Sequence, residues 1–236
     1  MNDETILSDQ VAYYRARAGE YDEWFLREGR YDRGAEHRAQ WFGEIATIRR
    51  ALAATIHDRN VLELACGTGL WTEQLAKQNR SVVAVDASPE VIAINENRVR
   101  ADHVRYEVAV LFSWSPRARF EAVFFAFWLS HVPAGRFDGF WATVQSALEP
   151  GGKVFFVDSL LEQTSTATDH TAIDDSGVVR RKLNDGREFD IVKVFYQPET
   201  LEDRLTGLGW HARVRSTGKF FLFGECGRGE TAIGQD

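Results

Sequence analysis

Apolar residues in the first 58 positions recur at helical spacing. Val11, Tyr14, Tyr21, Trp24 and Phe25 give one apolar face, with Ser8 or Asp9 as its cap. Gly29 to Gly34 breaks the pattern, and Trp41, Phe42, Ile45, Ile48, Leu52 and Ile56 predict a second helix. The period then alternates between short strands and helices. Strands are predicted at Val61–Leu64, Ser81–Val85, Val104–Val108, Glu121–Ala126 and Lys153–Val157. Helices are predicted at Leu70–Gln78, at Pro89–Val99 with proline in the first turn, and over Phe137 to Leu148. This βαβα order predicts a parallel sheet covered by helices on both faces.

The second half is patterned differently. Residues 159–173 are polar and Thr-rich, and predict a mobile loop. Val178–Leu183 and Glu188–Phe195 flank Asn184-Asp185-Gly186, a hairpin signal. Gln197–Leu208 predicts a helix. His211–Arg215 and Phe220–Glu225 are joined by only four residues, Ser216–Lys219. Parallel neighbours need a crossover of about a dozen residues or more. The last two strands are therefore antiparallel. The predicted fold is α/β: a three-layer Rossmann-like sandwich with a seven-stranded, mostly parallel sheet and an antiparallel last strand. A single domain is expected over 1–236. It divides into a helical cap (1–58), a cofactor-binding core (59–158), a hairpin insertion (159–196) and a C-terminal helix with strands (197–226).

Composition narrows the class. The chain has 236 residues, of which 44% are hydrophobic and 27% charged, enough for a sizeable core. The net charge of -7 argues against a nucleic-acid surface. Two cysteines, Cys66 and Cys226, make no disulfide framework. Met1–Gln10 has no apolar run of the kind a secretion signal carries, and the longest apolar run, Ala122–Leu129, is too short to span a bilayer. A cytoplasmic protein, monomeric or homodimeric, with a small-molecule partner and neither membrane nor nucleic acid is expected. The six histidines show no metal spacing, so no metal is expected.

Candidate chemistry begins at Ala65-Cys66-Gly67-Thr68-Gly69, a tight turn between a strand and a helix. Glycines let the chain turn sharply and let a ligand approach the main chain. The free N–H groups of the next helix favour a polar ligand group. Asp86 ends the following strand, where a carboxylate accepts from ribose hydroxyls. A dinucleotide site calls for a third glycine, but Thr72 holds that position.

These segments resemble the class I S-adenosylmethionine (SAM) dependent methyltransferases, of the small-molecule type 11/25 kind. Glu63 to Gly69 is similar to the first motif of that family, and Val83 to Ser88 to the second. Phe120-Glu121-Ala122-Val123 resembles the fourth-strand motif, and Leu148 to Val154 the loop and fifth strand. The resemblance runs from about Arg59 to Glu225 and implies SAM as cofactor, with S-adenosylhomocysteine (SAH) as product. It places Glu63, Ala65 and Gly67 around the methionine part, with Gly69 also in the cofactor-binding set. Asp86 would hold the ribose, Ala87 and the Leu111 N–H would face the adenine, and the Phe127 carbonyl would meet the ammonium. Tyr14 and Arg15 would cover the methionine carboxylate, and Tyr21-Asp22 is a further family signature.

The implied reaction is methyl transfer to an O or N atom of a small, partly apolar metabolite. Two other readings stand beside it: an NAD(P)-dependent oxidoreductase, and a SAM-binding regulatory protein without catalysis. A protonated acceptor needs a base, and His131, after the fourth strand, is the candidate, against a histidine that merely bonds locally. Tyr21, Phe112, Trp114 and Trp128 are candidate pocket residues, with the core as the other reading. His170 is read as part of a solvated loop. The hairpin cations Arg180, Arg181, Lys182, Arg187 and Lys193 either meet an anionic substrate or protect an exposed edge, the second being favoured.

Val110 departs from the family pattern. Relatives carry an Asp there that accepts from the adenine amino group, which valine cannot do. Val110→Asp is expected to tighten SAM binding by about 1 kcal/mol, roughly fivefold. Calorimetry reads this directly, and unchanged or looser binding refutes it.

Overall fold

The first strand, Val61 to Leu64, is an apolar run bounded by an exposed Asn60 and a glycine turn, as a strand buried on both faces requires. A computed structural model describes residues 3–170, 172–173 and 175–229. Helices α1 (Asp3–Ala16), α2 (Tyr21–Leu26) and α3 (Ala35–Thr55) come first. Next are β1 (Asn60–Leu64), α4 (Thr72–Gln78), β2 (Ser81–Asp86), α5 (Pro89–Val99) and β3 (Val104–Val108). The chain continues through β4 (Phe120–Ala126), α6 (Phe137–Ala147) and β5 (Leu148–Ser159) to a hairpin of β6 (Gly177–Lys182) and β7 (Glu188–Lys193). It ends with α7 (Pro198–Gly207), β8 (His211–Ser216) and β9 (Phe221–Gly227).

Seven strands form one sheet in the order β3-β2-β1-β4-β5-β9-β8. The first five are parallel, and β9 runs antiparallel to both neighbours. This is the predicted architecture, and the hairpin forms a separate two-stranded sheet. Alternation along β4 and β5 sends successive phenylalanines to opposite faces. Phe124 stacks on Phe155 within the core under α3 and α4, and Phe125 stacks on Phe156 within the core under α6 and α7. A third, smaller core joins α1 to the hairpin through Tyr13, Ile173, Val179, Leu183 and Ile191.

Three local expectations change. The first helix begins at Asp3, so Ser8 and Asp9 lie inside it. The fifth strand, expected at Lys153–Val157, runs from Leu148 to Ser159 and so takes in Pro150-Gly151-Gly152, beside a register shift between Phe120 and Ala122. A bulge accommodates a proline that a regular ladder would reject. The polar segment that begins at residue 159 is anchored at Thr164 and Ser165. The buried Arg27 guanidinium donates to the carbonyls of Ser165 and Thr164, both at 2.9 Å, and lies over the Trp41 ring. Those polar residues serve a buried cation, and composition does not reveal that.

The turn after β1 depends on close packing. Gly69 has φ of +92°, and a Cβ there would stand 2.5 Å from Asn95 Oδ1. Asn95 is fully buried and donates to the Gly67 carbonyl and to Thr72 Oγ1. Gly69→Ala is expected to cost about 2–4 kcal/mol through left-handed strain and this clash. Denaturant unfolding measures it, and a loss under about 1 kcal/mol contradicts the packing account.

Candidate active site

The carboxyl ends of β1 and β4 both turn through left-handed residues that are not glycine. Ala65 has φ of 54° and Phe127 has φ of 56°. Such conformations cost roughly 1–2 kcal/mol and persist only where the surroundings impose them. Asp86 is one such restraint. Its carboxylate accepts from the Gly67 N–H and the Ser88 N–H, both at 3.0 Å. Burial raises its pKa, and these N–H groups oppose the rise. Asp22, from α2, braces the same turn by accepting from Thr68 Oγ1 and pairing with Arg98. Glu63 lies beneath, 2% exposed, with Oε2 unbonded among the described residues. Burial pushes its pKa up to about 8, so it is mainly protonated at neutral pH.

Past β4, a short turn carries His131. Gln10 of α1 donates to the His131 carbonyl and accepts from the Val192 N–H of β7. The Val192 carbonyl lies 2.7 Å from His131 Nδ1, and Tyr14 Oη lies 2.7 Å from Nε2. A carbonyl can only accept, so Nδ1 carries the proton and Nε2 accepts from the tyrosine. Burial first, and Lys193 second, hold the imidazole well below its ordinary pKa of 6.5.

Two cavities meet here. The first runs past Ala65, Gly67, Asp86, Ala87 and Leu111. Its cap is α1, through Leu7, Gln10 and Val11. The second lies under the hairpin and is lined by Arg17, Tyr31, His170, Arg181 and Lys193, among others. Tyr14, Tyr21, Phe127 and His131 border both.

Most residues expected in the site gather there. The first cavity brings together Tyr14, Ala65, Gly67, Asp86, Ala87, Leu111 and Phe127 from the expected cofactor set, together with Tyr21, Phe112, Trp128 and His131. Val110 lines it too. Glu63 lines a smaller neighbouring cavity behind the turn. Arg15 does not face this site: it is exposed on α1 and pairs with Glu90 at 3.5 Å. Gly69 packs on Asn95, and Trp114 stands off the cavity with its indole N–H on Glu107. His170 is half-buried instead of solvated, and burial pushes its pKa down to about 4. The hairpin cations divide. Arg180 and Arg187 pair outward with Asp190 and Asp185, whereas Arg181 and Lys193 turn inward. Gln10 and Arg17 were not anticipated. The signal for Arg17 was its place one turn after Tyr13 on the apolar face.

Known proteins share this layout. A family described as "Methyltransferase domain" matches residues 61–152. The DhpI–SAH complex superposes with a TM-score of 0.79 at 39% identity, covering 97% of this chain and 100% of DhpI. That match decides the family. The chain belongs to the class I SAM-dependent methyltransferases. A second DhpI structure, described as a SAM–HEP complex, agrees equally, with a TM-score of 0.79. The ubiquinone biosynthesis O-methyltransferase of Xylella fastidiosa (strain 9a5c) is 30% identical over 159 residues, covering 64% of this chain. That alignment spans only 60% of the curated relative. The N-methyltransferase NodS of Bradyrhizobium japonicum WM9, in complex with SAH, shares the fold at 18% identity and a TM-score of 0.61.

The family assignment displaces the dinucleotide oxidoreductase reading. No described helix is long and apolar enough to cross a membrane. In this methyltransferase the His131 ring is expected to titrate well below the ordinary histidine value of 6.5, staying neutral with the proton on Nδ1 where a free imidazole is already charged. Nitrogen-15 NMR of the imidazole follows this, and a protonation midpoint near the ordinary histidine value overturns it.

Proposed function

We propose that this chain transfers the methyl group of SAM to an O or N atom of a small acceptor. SAM occupies the first cavity and the acceptor the second. The observation that carries this reading is the junction: two cavities of different character share the walls formed by Tyr14, Tyr21, Phe127 and His131. The first cavity fits SAM by its own chemistry. It offers the carboxylate of Asp86, wall positions at Ala65 and Gly67 where the chain turns, and apolar walls at Leu111 and Val91. Gly67 has φ of +53°, a conformation that favours glycine, and a Cβ there would touch the Tyr21 ring at 3.6 Å.

SAM supplies a methyl group already activated as a sulfonium, so the protein's part is alignment and exclusion of water. Helix α1 closes the first cavity from above, and the aromatic rings of Tyr14 and Tyr21 pack 6.2 Å apart at the junction. His131 is the proposed proton acceptor. It is held neutral, and its Nε2 faces the Tyr14 hydroxyl, so an acceptor proton reaches it through that hydroxyl. Cys66 is not a nucleophile: burial pushes its thiol well above the ordinary range.

Two measurements test the reading. Calorimetry with SAM, then SAH release over a panel of small acceptors, checks binding and turnover. Tight SAM binding with no acceptor turned over would leave a regulatory protein. With an acceptor that binds protonated, His131→Ala is expected to lower kcat by about 100-fold with SAM affinity kept. Turnover within a few fold of the parent removes the proton-accepting role.

A further inference from the structure

The second cavity holds more positive charge than the fold needs. Hairpin alternation sets Val179, Arg181 and Leu183 of one arm, and Ile191 and Lys193 of the other, on the inward face. Two cations thus occupy positions where the pattern calls for apolar side chains. Arg17 joins them from α1. It is 9% exposed and lies against the rings of Tyr13 and Tyr21, at 5.6 and 5.1 Å. Among the described residues its guanidinium has no hydrogen-bond or ion-pair partner. Arg181 has only a long contact of 3.5 Å with His170 Nδ1. Lys193 donates to Ser130 Oγ and lies 3.6 Å from Asp158.

No described carboxylate lines this cavity. Asp158 is buried behind Lys193, and Asp169 is drawn away by Arg30 at 3.4 Å. His170 and His131 are neutral, since burial depresses both. Three cations therefore face one buried carboxylate, an excess of two positive charges. Burying cations without partners is costly, and each pushes against the other: Arg181 is destabilised as a cation by burial and by Arg17. Such an arrangement is stable when an anion completes it. One carboxylate would balance half of the excess. A doubly charged, tetrahedral group balances all of it and presents enough oxygens for two guanidinium groups and an ammonium. Tyr31, Ser165 and Thr166 add neutral polar groups to the same walls.

We propose that the second cavity recognises its acceptor by a dianionic phosphorus oxyacid group, a phosphonate or a phosphate monoester, held by Arg17, Arg181 and Lys193. This inference rests on the methyl-transfer reading and adds the class of substrate to it. It also reverses the favoured reading of the hairpin cations for Arg181 and Lys193, but not for Arg180 and Arg187.

The test is calorimetry on protein saturated with SAH. Methylphosphonate, methyl phosphate and acetate are the probes, in separate titrations. Both phosphorus anions are expected to bind, with acetate weaker by about tenfold or more. The relative affinities of methylphosphonate and methyl phosphate tell a C–P from a C–O–P acceptor. Arg181→Gln and Arg17→Gln are each expected to weaken the phosphorus probes by about thirtyfold, with Arg181→Lys recovering part. SAH affinity and the melting temperature of each variant report whether it is folded. Equal binding of acetate, absence of phosphorus-anion binding, or unchanged binding by the two folded Gln variants each overturns the proposal. Failure of SAH itself to bind would instead refute the methyl-transfer reading.

Discussion

The hydrogen bond between Tyr14 and His131 ties three distant pieces of chain into one site. Tyr14 comes from the first helix and His131 from the turn after β4. The hairpin enters through the Val192 carbonyl on the other ring nitrogen. Gln10 repeats the connection on the backbone, bonding both the His131 carbonyl and the Val192 N–H. The apolar footing of α1 is the small core that it shares with the hairpin. Both cavities have Tyr14 and His131 in their walls. The same contact that closes the site also defines where its two halves meet.

Electrostatics around that contact is set by burial. The imidazole accepts from Tyr14 only if Nε2 is unprotonated, and desolvation keeps it so. Desolvation also raises the Tyr14 hydroxyl pKa well above its ordinary value, so the proton stays on oxygen. Before any acceptor enters, each partner is thereby held in the state the other needs. Lys193 helps from the side, disfavouring a second positive charge on the ring. The arrangement is one proton donor and one acceptor with no net charge, which a buried site tolerates better than an ion pair.

The cofactor half of this architecture was legible because its residues are bound by local rules. A strand, a left-handed turn and a helix must follow one another at Val61 to Gln78, and Asp86 must end the neighbouring strand. The short link Ser216–Lys219 forced the antiparallel ending, and β8 and β9 pair accordingly. The acceptor half was harder to read. Arg181 and Lys193 look like hairpin surface charges until the face opposite Tyr13 is known to be covered by α1. His170 looks solvated until Arg27 is seen holding the preceding segment down. Trp114 had the right composition and neighbourhood but bonds to Glu107 instead. For the hairpin cations and His170 a contact between residues far apart in sequence decided the outcome, and for Trp114 a partner seven residues away did; periodicity carries no record of either.

The division has a physical origin. A sheet end can bind a nucleoside with backbone and one carboxylate, because strand order and turn geometry fix both. Selecting an acceptor needs side-chain chemistry that the sheet does not supply. Here that chemistry arrives on α1 and on a hairpin inserted after β5, which meet each other in a core of their own. Their inward faces therefore have to pack and to carry charge at once. Arg17 meets both demands by laying its guanidinium against tyrosine rings, which compensate part of the lost hydration. Arg181 has no comparable partner and depends more on what enters the cavity. Burial and Arg17 both disfavour its cation, so an anion of the proposed kind would steady Arg181 and, through it, the hairpin.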